Sequence, residues 1–368
     1  MAFSDEHLYS IALRRCHLIG DVNFRKLVTA YGSAESVWKE NKKHLKKIAG
    51  MSLKSLSEIG RGDFISEAEK ELEFCHRNNI KINLHHLEGP PYFLEDCADA
   101  PSVLFIKGTL PQNLHPLSIV GTRNITPYGK AFITRLLEKL SRSPYTTVSG
   151  LAYGVDTAVH RGSIEKKIPT IGVLAHGFRT LYPSKNISLA KSILENGGAL
   201  VTEFSSHQKP EKENFIRRNR IVAGISRHLV VVETAKKGGS LSTVNFALGY
   251  EREVFALPGK ITDPYSQGCN WLIYQNKAIA LESVDTFLED LGMGQSELFY
   301  DHPSPQSMEH LSEEQKKVYH LIKSHPKISL DEIALLSGLS SFVLLPILLE
   351  LEIRQYIQSF PGKLFSTL

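Results

Sequence analysis

Four cysteines in 368 residues, Cys16, Cys75, Cys97 and Cys269, form no CxxC pair and have no histidine at zinc-site spacing. That scarcity excludes a disulfide frame and a structural zinc, and a reduced, cytosolic protein is expected. No apolar run reaches membrane-spanning length, and the opening Met1-Ala2-Phe3-Ser4-Asp5-Glu6-His7 lacks a basic stretch leading into an apolar one. Neither secretion nor membrane insertion is expected. Two nucleotide fingerprints are also missing: Gly121 opens no G-x-G-x-x-G, and no G-x-x-x-x-G-K-[ST] occurs. An NAD enzyme and a P-loop NTPase are disfavoured, and neither a cofactor nor a metal is expected.

What is present is the composition of a folded chain, 42% apolar and 22% charged, long enough for two or three domains. Residues 1–62 read as short helices with glycine turns at Leu18-Ile19-Gly20-Asp21-Val22 and Lys47-Ile48-Ala49-Gly50-Met51, similar to SAM or helix-hairpin-helix modules whose turn amides can hold a phosphate. Any small helical bundle needs such glycines, and Lys42, Lys43, Lys46 and Lys47 read as a solvated face. Residues 63–115 are a connecting segment broken at Gly89-Pro90-Pro91-Tyr92.

From 116 to 291, apolar β-branched runs alternate with helix-length segments: Leu117–Val120, Thr146–Ser149, Thr170–Leu174, Ala199–Thr202, Leu229–Val232, Val254–Leu257 and Ala278–Leu281. Such runs imply an α/β, doubly wound (Rossmann-like) parallel sheet, with ligands beyond the carboxyl ends of its strands. A polar linker spans 292–310. The last segment, 311–368, reads as three helices and a hairpin around Gly362, a winged-helix arrangement with a helix-turn-helix corner at Ser337-Gly338-Leu339-Ser340.

Glycines gather at the strand ends, in Gly121-Thr122-Arg123, Gly150-Leu151-Ala152-Tyr153-Gly154, His176-Gly177 and Gly238-Gly239-Ser240. They permit close approach of an anion to free helix amides. Residues 212–237 add Lys212, Arg217, Arg218, Arg220, Arg227, Lys236 and Lys237 against Glu213 and Glu233, seven positive less two negative, or +5 where the whole chain carries +4. This excess points to a polyanion groove. Phe215 is either a ring for base stacking or a core aromatic, and at least one arginine must be structural, because the helix it starts packs on the sheet.

These motifs, with Ile119-Val120-Gly121-Thr122-Arg123, Tyr182-Pro183, Phe215 through Gly224, Leu257-Pro258-Gly259 and Gly268-Cys269-Asn270 in order, resemble the DNA-processing protein A (DprA, also called Smf) family of bacteria. The resemblance implies a recombination mediator that binds and protects incoming single-stranded DNA and helps load the RecA recombinase during natural transformation. It also implies a homodimer through the central domain and no catalytic turnover. Carried over by position, the DNA groove would comprise Gly121, Arg123, Gly150, Lys185, Lys212, Phe215, Arg217, Arg218, Asn219, Arg220, Gly239 and Ser240. Departures are Ile216 where the family usually has proline, and Asn276-Lys277-Ala278 in place of Gly-Ala, which leaves Lys277 as either a groove or a surface charge.

The strongest alternative is a nucleotide phosphoribohydrolase of the lysine-decarboxylase-like group, but Val244-Asn245-Phe246-Ala247 supplies no acid after the glycine turn. Asp156 reads instead as a helix N-cap, His160 as a locally bonded side chain, and Glu233 as the partner of a groove arginine. A sequence-specific transcription regulator rests only on the winged helix. From 312 to 368 six basic residues face six acidic ones, and Ser341–Glu352 contains no arginine or lysine. That helix lacks the donors a major groove requires, so the domain is expected to dock on protein. The isolated domain should leave a duplex unshifted in a gel at moderate salt; a shift would contradict this assignment.

Overall fold

The computed structural model describes residues 3–45, 56–112, 114–292, 311–325, 328–353, 356–360 and 364–367. It divides into two compact units, Met1–Gln295 and Ser296–Leu368.

The first unit is organised by one nine-stranded sheet, in the order β1-β2-β6-β5-β4-β3-β7-β8-β9. Its strands are β1 (Ile80–Leu84), β2 (Val103–Gly108), β3 (His115–Val120), β4 (Tyr145–Ser149), β5 (Thr170–Val173), β6 (Ala199–Thr202), β7 (His228–Val231), β8 (Glu253–Ala256) and β9 (Ile279–Ala280). From β6 through β9 all neighbours are parallel, as the apolar runs imply. Alternate residues of single strands enter different cores: Leu229 and Val231 of β7 pack with Val148, Ile171 and Ile221, while Val230 packs with Leu117, Ile119 and Phe255. The chain leaves β3 for β4, β5 and β6 on one side and returns through β7, β8 and β9 on the other. The strand order therefore reverses beside β3 and β7, where an open α/β sheet places its ligands.

The segment 63–115 does more than connect. After the helix Gly62–Arg77, β1 and β2 pair antiparallel and β2 joins β6 antiparallel, extending the sheet by two strands. Their apolar side chains Ile80, Ile82, Leu84, Val103 and Phe105 share a core with Leu13, Phe24, Leu27 and Trp38 of the N-terminal helices. The helical region is thereby fastened directly to the sheet.

The Gly20 turn is also filled by protein. Gly20 caps the helix Asp21–Tyr31, Arg14 donates to the Ile19 carbonyl, and the Asp21 carboxylate accepts from the Ser102 amide at 2.8 Å and pairs with Arg220 at 3.1 Å. A carboxylate held at the turn opposes a phosphate there. The Gly50 turn lies outside the described residues.

The second unit has helices Glu313–Ser324, Leu330–Ser337 and Ser341–Ile353. With them is an antiparallel sheet ordered β10-β12-β11, made of β10 (Ile328–Ser329), β12 (Leu364–Thr367) and β11 (Ile357–Phe360). This is the expected winged helix with one strand more than the sequence suggested. Among the described residues no single helix is long and apolar enough to cross a membrane.

Candidate nucleic-acid interface

The helix Lys212–Gly224 crosses from β6 to β7, and its successive side chains go to different places. Arg218 goes inward. It is 4% exposed, and its Nη1 donates at 2.5 Å to both the Gly150 carbonyl past β4 and the Val173 carbonyl of β5. Burial pushes its guanidinium down to about 10, opposed by the nearby Asp156 carboxylate. Arg220 is buried too, between Glu203 at 2.8 Å and Asp21 at 3.1 Å, and donates to the Asp99 carbonyl. Asn219 donates to the Ser242 hydroxyl at 2.8 Å and so ties this helix to Ser240–Gly249.

Arg218, Arg220 and Ser240 are therefore corrected as groove residues. The Ser240 side chain is buried and donates to the Thr234 hydroxyl at 2.7 Å. These groups lie beneath the rim because a helix packed on a sheet must bury the face it presents. Arg227 precedes β7, at the opposite edge of the sheet, with its guanidinium 4.6 Å over Phe93. The local charge excess thus reaches the rim through Lys212, Arg217, Lys236 and Lys237, all exposed, against exposed Glu213.

The glycines are largely used for packing. A Cβ at Gly150 would collide with the Arg218 guanidinium, one at Gly121 with Val155 and the Glu233 carbonyl, and one at Gly154, whose φ is +77°, with the backbone of Thr122 and Arg123. Gly239 alone of the three expected rim glycines has nothing within 4 Å of its would-be Cβ.

Two carboxylates also differ from expectation. Glu233 meets no arginine; its Oε2 accepts from the Thr126 amide at 2.9 Å and its Oε1 from the Thr126 hydroxyl at 2.5 Å, at the start of the helix Pro127–Leu140. Asp156 lies one residue inside the helix Val155–Glu165, capped by Gly154, and accepts from the Ala152 amide at 3.1 Å. Glu203, at a strand end, is the acid that gathers arginines, with Arg217 at 3.0 Å and Arg220 at 2.8 Å. Arg217 and Arg220 stand three apart and so share a helix face, a signal the sequence contained.

His160 is fully buried and bonds the Thr170 hydroxyl at 2.8 Å, as its local role requires. Burial depresses its imidazole to about 3, with the Arg218 charge adding to the effect. Since the unfolded chain protonates near the ordinary value of about 6.5, it binds the extra proton between pH 6.5 and 3. The stability from neutral His160 is thus complete above pH 6.5 and is lost as pH falls toward 3. Wild type should lose about 2 kcal/mol more than His160→Gln between pH 7 and pH 5 in urea titrations; equal losses would refute this.

What remains open at the rim is aromatic and cationic. The Arg123 guanidinium lies 5.4 Å from the Phe215 ring centroid, and Phe215 meets Tyr182 edge-on at 5.8 Å and 73°. Tyr182 is exposed and its amide is fixed by donation to His176 Nε2 at 3.0 Å. Lys185, three residues after Tyr182, and Lys212, three before Phe215, are both exposed. Phe215 is half-buried, both packed and presented, and Ile216 beside it is exposed. Sequence spacing did not single out Tyr182 as Phe215's partner, because Tyr182 lies in the loop before the helix Ile187–Glu195 and Phe215 on the helix Lys212–Gly224. Lys277 sits against Trp271 at 5.0 Å, near edge strand β9.

On the second unit the helix Ser341–Ile353 exposes Phe342, Leu345 and Leu349, and the preceding helix exposes Leu335 and Leu336. Apolar side chains occupy the face where a groove-reading helix carries hydrogen-bond donors.

A doubly wound parallel sheet without a nucleotide fingerprint, carried in one chain with a winged helix, is the architecture that the comparisons with known proteins also find. The family model described as DNA recombination-mediator protein A matches residues 81–292, and the DprA winged helix domain matches 302–363. The chain belongs to the DNA recombination-mediator protein A family. It is similar to the DNA processing protein DprA of Bacillus subtilis (strain 168), 42% identical over 203 residues that cover 55% of this chain and 68% of the relative. The X-ray structure of DNA processing protein A from Streptococcus pneumoniae superposes with a TM-score of 0.65 at 27% identity, covering 78% of this chain and 98% of that one. DNA processing protein A from Helicobacter pylori, solved for its single-stranded DNA binding mode, gives a TM-score of 0.53 at 26% identity over 58% of this chain and 96% of that one.

Proposed function

We propose that this chain binds single-stranded DNA along the carboxyl edge of its parallel sheet, at the Arg123, Tyr182 and Phe215 group. Phosphates are taken by Arg123, Lys185, Lys212 and Arg217, with Gly239 allowing close backbone approach, and Asn219 holding the helix in place. Bases stack on Phe215 and Tyr182, an arrangement that accepts any base because every base has a π-face. The observation that carries this assignment is the guanidinium of Arg123 over a ring that is itself braced by an exposed tyrosine.

In the cell, the bound strand is protected and handed to the RecA recombinase during natural transformation, in the cytoplasm and without catalytic turnover. The hydrolase alternative is not favoured: the Asp156 carboxylate is buried on a backbone amide and Glu203 is held by arginines. A homodimer forms through the central domain, favoured by exposed Ile279 on the edge strand β9 and exposed Trp271 and Tyr274 on the helix before it.

Fluorescence anisotropy of oligo-dT and of a matched duplex, measured across salt, tests the assignment. Preference for the single strand with a log–log salt slope near −0.7 per phosphate contact is expected. Equal or tighter duplex binding would reject it.

A further inference from the structure

A cavity of about 750 Å³ lies between the N-terminal helices and the carboxyl end of β6, within the first unit. Four arginines line it, Arg14, Arg15, Arg217 and Arg220, against Asp21, Asp99 and Glu203, four positive less three negative. It is nearly balanced in charge, unlike a track for a phosphate backbone.

Two of its walls carry unmet hydrogen-bonding groups. Glu203 has a side chain only 1% exposed; its Oε2 serves Arg217 and Arg220, while its Oε1 is buried with no partner. Arg15 uses Nη1 on Glu67 at 3.3 Å and His207 at 3.0 Å, while its Nε and Nη2 are buried with none. Buried polar atoms in this state call for partners. A phosphate would suit Arg15 but would be repelled by Glu203, and an ammonium would meet the reverse. A neutral group with an N–H donor beside a carbonyl or ring-nitrogen acceptor satisfies both, which is the chemistry of a nucleobase edge. Arg217 lines the same cavity with its guanidinium 5.2 Å from the Phe204 ring, and guanidinium planes stack bases. It stands two residues after Phe215 on one helix, so a few nucleotides reach both places.

We propose that this cavity takes one base of the bound strand, its N–H on Glu203 Oε1 and its acceptor on the free edge of Arg15, as a second subsite beyond Phe215. This rests on the single-strand assignment of the groove. The test compares a 20-nucleotide oligo-dT with an abasic strand of equal length, on wild type, Arg15→Ala, Glu203→Gln and Arg123→Glu. Arg15→Ala should weaken oligo-dT about tenfold, one base's worth of contact, and leave the abasic strand unchanged. Arg123→Glu should weaken both. Unchanged oligo-dT affinity in Arg15→Ala, or an equal loss on the two strands, overturns the subsite while leaving the groove intact. Wild type that binds neither strand overturns both. Should Arg15→Ala fail to fold by circular dichroism, Glu203→Gln gives the same comparison: loss confined to oligo-dT supports the subsite, and no such loss rejects it.

Discussion

Arg123→Glu and Phe215→Ala should each weaken oligo-dT binding at least tenfold, by different physics. Arg123 is exposed and stands over the Phe215 ring, so reversing its charge removes a phosphate contact and adds repulsion at the centre of the groove. The salt slope should fall by about 0.7, one contact's worth for a single strand. Phe215→Ala removes a stacking surface of about 1–3 kcal/mol per base and should leave the salt slope alone. Anisotropy across salt separates the two effects. A changed slope in Phe215→Ala, or undiminished affinity in Arg123→Glu, would place the strand elsewhere.

Arg218→Ala should lose about 3–5 kcal/mol of stability in urea titration, because removing one member of a buried charged network leaves its partners uncompensated. The guanidinium holds the carbonyls of Gly150 and Val173 together, and Asp156 lies near enough for its charge to raise the arginine's proton affinity. Arg218→Lys keeps the charge but loses the planar fork, so it should recover only part of the loss. Weak DNA binding by an Arg218 variant would then report a damaged sheet edge. Arg218→Ala with wild-type stability would contradict this structural role.

The difference between Arg218 and Arg217 shows what the sequence could and could not convey. The seven parallel strands were legible as β-branched apolar runs, and the C-terminal domain as three helices with a corner at Ser337-Gly338-Leu339-Ser340. β1 was hidden by Lys81 and Asn83, and β2 by the Gly-Pro break before it, so the region joining helices to sheet looked like a linker. In the arginine cluster the charge was legible, but the direction of each side chain was not. The need for one structural arginine was readable from helix packing, whereas Glu203 as the acid that gathers two others required knowing that β6 ends beside that helix. Tyr182 was visible as part of a Tyr-Pro motif, yet its contact with Phe215 depends on a helix whose ring lies 33 residues away in the chain. Glycine clustering pointed to room for an anion at the backbone, but at Gly121, Gly150 and Gly154 that room is filled by the protein's own atoms.

The most direct test of the central claim is photo-crosslinking of an oligonucleotide containing 5-iodo-deoxyuridine to the full chain, with the linked residues identified by mass spectrometry. Crosslinks at Phe215 and Tyr182 are predicted, because those rings would lie against the bases. Crosslinks confined to residues 311–368, with none on the helix Lys212–Gly224 or at Tyr182, would contradict the placement of DNA on the carboxyl edge of the sheet.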